Sequence, residues 1–169
     1  MEFLRSNFSD TQTIFTLYDA AIAHQKAVSD MHWLPFDKVL VVKEIEQGRQ
    51  WKVIIDGAVA CVFVVAYEDP AIWGTEDTRP AIYLHRIVTN PAFRGRNFVG
   101  EIIKWAREHC QENGIRLIRL DTWAENHKLR EVYTRNGFRF LGDAPPADST
   151  NLPSHYSGII LGFYEIYLG

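Results

Sequence analysis

The sequence predicts a mixed α/β sheet, and three observations carry that expectation. Two runs of β-branched and aromatic residues, 50–55 and 58–67, flank Asp56-Gly57, the dipeptide of a tight hairpin. A strand pattern, a turn and a helical pattern then follow one another twice, over 81–114 and over 115–137. Two further strand patterns, 138–141 and 157–168, close the chain as an antiparallel pair.

The elements follow in order. Residues 2–6 form a short edge strand. Ser9 or Asp10 caps a helix over 11–26, in which Ile14, Phe15, Tyr18, Ala21, Ile22 and Gln25 recur near one face. Residues 29–36 form a loop of unusual aromatic weight. Asp37 opens a second helix that runs to about Glu46, and Gly48 closes it. The run 58–67, AVACVFVVAY, is almost continuously apolar, as a central strand covered on both faces should be. Residues 68–80 read as a polar loop carrying Trp73.

The stretch 81–114 organises the rest. Ala81–Thr89 is rich in β-branched and aromatic residues and reads as a strand. Asn90-Pro91 ends it, because proline cannot donate to a ladder. Arg94-Gly95-Arg96-Asn97 makes a basic turn. A helix starts near Phe98, with Val99, Ile102, Ile103, Ala106 and Cys110 on one face and Gly114 at the C′ position. A helix N-terminus behind two arginines offers free N–H groups and the positive end of the helix dipole. The turn is therefore suited to phosphate. Solvated arginines on an ordinary strand–loop–helix turn are the competing reading. Downstream, 115–122 is a strand and 123–125 a turn. Asn126 opens a short helix with Leu129, Val132 and Tyr133 inward, and Gly137 ends it. Residues 142–153 form a proline-rich polar loop.

Composition excludes several classes. The length of 169 residues suits one domain over 1–169. A net charge of -3 argues against a general nucleic-acid binder. The two cysteines, Cys61 and Cys110, lie in apolar segments and make no disulfide framework. The six histidines are scattered without ligand spacing, so no metal is expected. The N-terminal residues do not read as a signal peptide, and no apolar run reaches membrane-spanning length, so a cytoplasmic protein is expected.

Over residues 81–142 the chain resembles the GNAT superfamily of acyl-CoA-dependent N-acetyltransferases. The family's pyrophosphate motif, Arg/Gln-x-x-Gly-x-Gly/Ala, falls on Arg94, Gly95, Arg96, Asn97, Phe98 and Val99, followed by Gly100. The chain departs from it at Asn97 and Val99. The downstream signature falls on Asn126, Tyr133 and Asn136-Gly137-Phe138. The resemblance implies one N-acyltransferase domain with a mostly antiparallel central sheet and helices on both faces, splayed at Ala81–Thr89 and 115–122. It implies acetyl-CoA as cosubstrate, without metal, and an amine acceptor on a small molecule or peptide. No nucleic-acid or membrane partner is implied.

Residue roles carry over from the same resemblance. Backbone N–H groups of Ile87, Val88 and Thr89 would hold the acyl carbonyl. Asn126 would bind the pantetheine arm, and a helix N-cap is its other reading. Tyr133 would be the general acid, against a core tyrosine on an apolar helix face. His85 occupies the strand position where many relatives carry a glutamate base, and imidazole titrates in a useful range. A satisfied histidine on a half-exposed strand is the alternative, with Glu68 and Asp121 as weaker candidates. Tyr83 and His85 share one strand face, and Leu84 and Arg86 share the other. The acceptor groove would draw on Met31, His32, Trp33, Phe36, Trp73, His155 and Tyr156. The aromatic members also suit a core or the surface of a homodimer. A module that binds CoA without turnover is the alternative to an enzyme, and the departures at Asn97 and Val99 give it weight.

Overall fold

Left-handed turn residues fix where the strands reverse. Asp56 and Gly57 have φ of 50° and 78°, as a tight hairpin between twisted strands requires. They join β2 (Gln50–Ile55) to β3 (Ala58–Ala66), and β1 (Glu2–Arg5) pairs with β2 on the other side. The computed structural model describes residues 1–152 and 156–169. It contains two compact units, Met1–Val65 with Arg86–Phe98, and Ala66–His85 with Val99–Gly169.

In the first unit, α1 (Thr11–Val28) and α2 (Lys38–Glu46) supply the cover for the β1–β3 strands. Ile14, Leu17 and Tyr18 of α1 bury with Val41 and Ile45 of α2, Val62 of β3 and Val88. Burial of such side chains is the main stabilising term, about 1.5–3 kcal/mol for each one removed from water. Asp37 caps α2 through its side chain, as expected. The cap before α1 differs from the expectation. Asn7 caps a 3-10 turn over Phe8–Asp10, and Asp10 returns a bond to the Asn7 N–H. Asp10 gives α1 no side-chain cap, because its carboxylate is engaged there and with Lys52.

In the second unit, β5 (Leu117–Trp123), β6 (Arg139–Ala144) and β7 (Leu161–Tyr167) form an antiparallel ladder with β7 in the middle. β4 (Ala81–Thr89) begins here and pairs in parallel with β5. The described register is Ala81↔Leu117, Ile82↔Ile118 and Tyr83↔Arg119, and it ends there. Arg119 is buried in β5, paired with Glu165 and Asp77 and bonded to the Tyr83 hydroxyl. Neighbouring strands run β1-β2-β3 in the first unit and β4-β5-β7-β6 from the start of β4 in the second, and every described pair except β4–β5 is antiparallel.

Several boundaries depart from the sequence reading, and β5 spans Leu117–Trp123 where 115–122 is expected. Residues 70–73 form a short helical turn, α3 (Pro70–Trp73), inside what reads as a polar loop. Asp69 followed by proline at the first helical position is the signal for it. β6 runs through Gly142 to Ala144, because Gly142 sits at a register irregularity that a glycine accommodates, with φ 137°. β7 starts at Leu161, not at 157, since its partners Trp123 and Ala144 end their strands there. α4 (Phe98–Glu112) and α5 (His127–Arg135) complete the fold, closed by Gly114 and Gly137 with φ of 66° and 96°.

Candidate active site

The basic turn takes the form its residue types favour. Asn90 accepts a bond from the Ala92 N–H and donates to the Val59 carbonyl, so the chain leaves β4 along a fixed path. Gly95 and Asn97 then take left-handed φ, 83° and 49°. Asparagine enters that region more readily than most side chains, which is how the turn forms without a glycine at position 97. Arg94, Gly95, Arg96 and Asn97 are exposed, and α4 begins at the next residue. Phe98 is buried and anchors the helix start, while Val99 and Gly100 lie half-buried in its first turn. Two cations, a left-handed backbone and a helix N-terminus thus face solvent together, a suitable seat for a pyrophosphate.

Directly upstream, Ile87, Val88 and Thr89 line a cavity of about 210 Å³ together with Arg94, His24 and Trp33. The structure therefore brings the three backbone candidates to one hollow with the first arginine of the turn. Arg86 just before them has φ 47°, a conformation that costs a non-glycine residue about 1–3 kcal/mol.

The proton-handling candidates gather in the second unit. His85 lies two residues beyond Tyr83, and Asp121 two beyond Arg119, the last pair of the described β4–β5 register. His85 Nε2 lies 3.2 Å from Asp69 Oδ2, and the donor atoms of Asp69, His85 and Asp121 all lie within 4.8 Å of one another. Two carboxylates and an imidazole at this spacing also match what a divalent ion accepts. Asp121 is partly buried as a residue, but its Oδ1 is fully enclosed and has no hydrogen-bond partner. Burial pushes its carboxyl up to about 6. His85 works against that rise, Asp69 with it, and the Trp73 indole N–H opposes it without hydrogen-bond alignment.

Tyr133 of α5 is buried edge-on against Phe138 and Tyr164, at 5.9 and 5.4 Å between ring centres. Burial raises its phenol above the ordinary value, and the Asp121 charge raises it further. The phenol is protonated throughout the neutral range and can serve as a donor. Asp121 thus acts electrostatically on both His85 and Tyr133. Asn126 caps α5 by accepting from the Leu129 N–H at 3.1 Å, which leaves its carboxamide N–H₂ to donate elsewhere.

Other expectations fall differently. Asp69 is the residue that sequence reasoning missed, and its Asp-Pro helix start was the available signal. Glu68 is exposed and has no part in the cluster. Trp33 and Phe36 pack on the first unit's core and Trp73 on the second's. Tyr156 is half-buried, and His155 lies outside the described residues. Cys61 and Cys110 are buried, and burial pushes their thiols up to about 12 and about 11, too high for a thiolate nucleophile at neutral pH.

Comparisons with known proteins bear on the family and the fold. Residues 16–138 match the model of the Acetyltransferase (GNAT) family. YesJ of Bacillus subtilis (strain 168), an uncharacterized N-acetyltransferase, is 29% identical over 106 residues, 60% of this chain. The matched stretch spans 59% of that relative's length. A GNAT-family acetyltransferase of Listeria monocytogenes 4b F2365 superposes with a TM-score of 0.80 at 23% identity, covering 99% of this chain and 94% of its own. The putative acetyltransferase YncA of Salmonella typhimurium, solved with its cofactor acetyl-CoA, gives 0.69 at 13% identity over 100% and 94% of the two chains.

Proposed function

The chain belongs to the GNAT acetyltransferase family, and from that premise we propose that it moves an acetyl group from acetyl-CoA directly to the amine of a small molecule or peptide. The observation that carries the reading is the family match itself, which runs through β4, the basic turn and Tyr133. The exposed, left-handed turn fits a pyrophosphate despite Asn97 and Val99. The reading takes residues 1–169 as one acyltransferase domain working in the cytoplasm.

Acetyl-CoA supplies an acetyl group activated as a thioester. Arg94, Arg96 and the N–H groups from Gly95 into the first turn of α4 hold its phosphates. Asn126 donates to the pantetheine arm. Backbone N–H groups of Ile87, Val88 and Thr89 stabilise the carbonyl oxygen as it gains charge. Their direction is set by the strand, so they need little reorganisation. His85 accepts the proton that the attacking amine sheds, with Asp69 and Asp121 holding the imidazole and stabilising its charged form. Tyr133 donates its phenolic proton to the departing sulfur. The two buried thiols favour direct transfer over a covalent enzyme intermediate.

The test is amine-dependent release of CoA across a panel of primary amines, for wild type and Tyr133→Phe. Wild-type turnover that falls about tenfold or more in Tyr133→Phe, with acetyl-CoA affinity unchanged, is the expected result. Binding of acetyl-CoA with no acetylation of any amine would overturn it in favour of a binding-only module.

A further inference from the structure

The residue before the three backbone candidates stands in a conformation that glycine would take without strain. Arg86 has φ 47° in the middle of β4. Its side chain is held from three directions within the first unit. The guanidinium is ion-paired with Glu44 of α2, lies 4.9 Å from the ring centre of Phe36, and lies 5.6 Å from that of Tyr18 in α1. The two charged side chains are only 11% and 4% exposed.

Such a pair is a poor device for stability alone. Burying two charges costs about as much as their attraction returns, and apolar residues of similar volume often do better. This pair is also incompletely satisfied: Arg86 Nη1 and Glu44 Oε2 are buried without hydrogen-bond partners. What it does fix is the rotation of Arg86. The φ and ψ of that residue set the plane of the next peptide, and so the direction of the N–H groups that follow.

We infer that the Glu44–Arg86 pair is a clamp that holds Arg86 left-handed and thereby aims the peptide groups of Ile87, Val88 and Thr89 into the cavity they line. Arg86 and Glu44 are positioning residues and touch no reacting atom. The inference rests on the proposed acetyl transfer for its catalytic meaning, because those peptides are the carbonyl ligands of that reaction. Phe36, stacked on the same guanidinium, comes from the loop read as lining the acceptor groove. One side chain therefore ties that loop to the acyl-binding strand.

The experiment compares wild type, Glu44→Gln, and Glu44→Gln combined with Arg86→Gly, in the full chain. Amide hydrogen exchange over 84–90 and amine-dependent CoA release are read on the same preparations, with melting temperature as a control. Glu44→Gln keeps the strained arginine and removes its clamp. Exchange at 87–89 should rise about tenfold and kcat should fall about tenfold, with KM for acetyl-CoA changing less than about twofold. Glycine takes the left-handed region unaided, so the double variant should recover at least about half of the lost activity on a logarithmic scale. A merely structural pair would lower the melting temperature and leave exchange and kcat at wild-type values below it. That result, or a double variant no better than Glu44→Gln, overturns the clamp. If Glu44→Gln does not fold, Phe36→Leu replaces it, with about a threefold rise in exchange expected and no rise contradicting the clamp. If the wild type acetylates no amine, the acetyl-transfer reading fails separately, and the exchange data alone decide the clamp.

Discussion

The turn at 94–97 and the cluster around His85 are built from opposite materials. The turn is four consecutive, exposed residues whose contribution is mostly backbone, with left-handed Gly95 and Asn97 opening onto a helix N-terminus. The cluster is three side chains from separate elements, Asp69 before α3, His85 on β4 and Asp121 on β5, drawn partly out of water. The difference is the one that the proposed tasks require. Holding a phosphate needs unpaired N–H groups and positive charge, and both work at the surface. Moving a proton near neutral pH needs a side chain whose affinity for protons the surroundings can shift, and that requires burial. Binding and proton transfer should therefore be separable by mutation.

The largest effect should come from the cluster. His85→Ala should lower kcat about 10²–10³-fold while acetyl-CoA affinity stays within about twofold, measured by steady-state rates and calorimetry. A variant that kept half the wild-type rate would remove His85 from the chemistry. The turn should behave in the reverse sense. Arg94→Ala with Arg96→Ala should weaken acetyl-CoA binding about 10–100-fold through lost charge-assisted bonds, with kcat at saturation nearly unchanged. A fall in kcat with unaltered affinity would join the two regions into one function.

A smaller effect separates them by pH. The Asp121 carboxyl is raised to about 6 in the folded chain, against about 3.9 when unfolded. Between those values the folded state binds more protons than the unfolded state, so this group's contribution falls as pH rises through that window. At pH 7 it costs about 3 kcal/mol, and well below pH 4 the cost disappears. Asp121→Asn should therefore raise the melting temperature at pH 7, by about 6–12 °C, with the gain vanishing below pH 4. A gain independent of pH would mean that the carboxyl is not raised. No comparable pH effect is expected of the turn variants. The smallest effect is chemical: iodoacetamide should change turnover less than about twofold, because both thiols are buried and raised.

The same contrast decides how much was legible in the sequence. The hairpin, β4, the basic turn and the capped helices at Asp37 and Asn126 are local, and each has a turn or cap residue that announces it. Asn97 could be read as a left-handed residue because asparagine tolerates that region. The cluster is not local. His85 and Asp121 were each visible on a strand, but their meeting depends on the parallel register at Tyr83↔Arg119. Asp69 was hidden in a stretch read as loop, although Asp-Pro marked the start of α3. Nor could periodicity give the left-handed φ of Arg86, since arginine carries no such preference and the clamp comes from residues 18, 36 and 44. The acceptor side is least legible, because Trp33, Phe36 and Trp73 pack into cores as aromatic residues usually do.

The most direct test is a calorimetric titration with acetyl-CoA of three folded proteins: wild type, His85→Ala and the Arg94→Ala/Arg96→Ala variant. Equal affinity in the first two and a loss of about tenfold or more in the third is the result that follows from a surface seat for the cofactor and a separate, half-buried proton relay. Failure of the wild type to bind, or equal binding by all three, would contradict it.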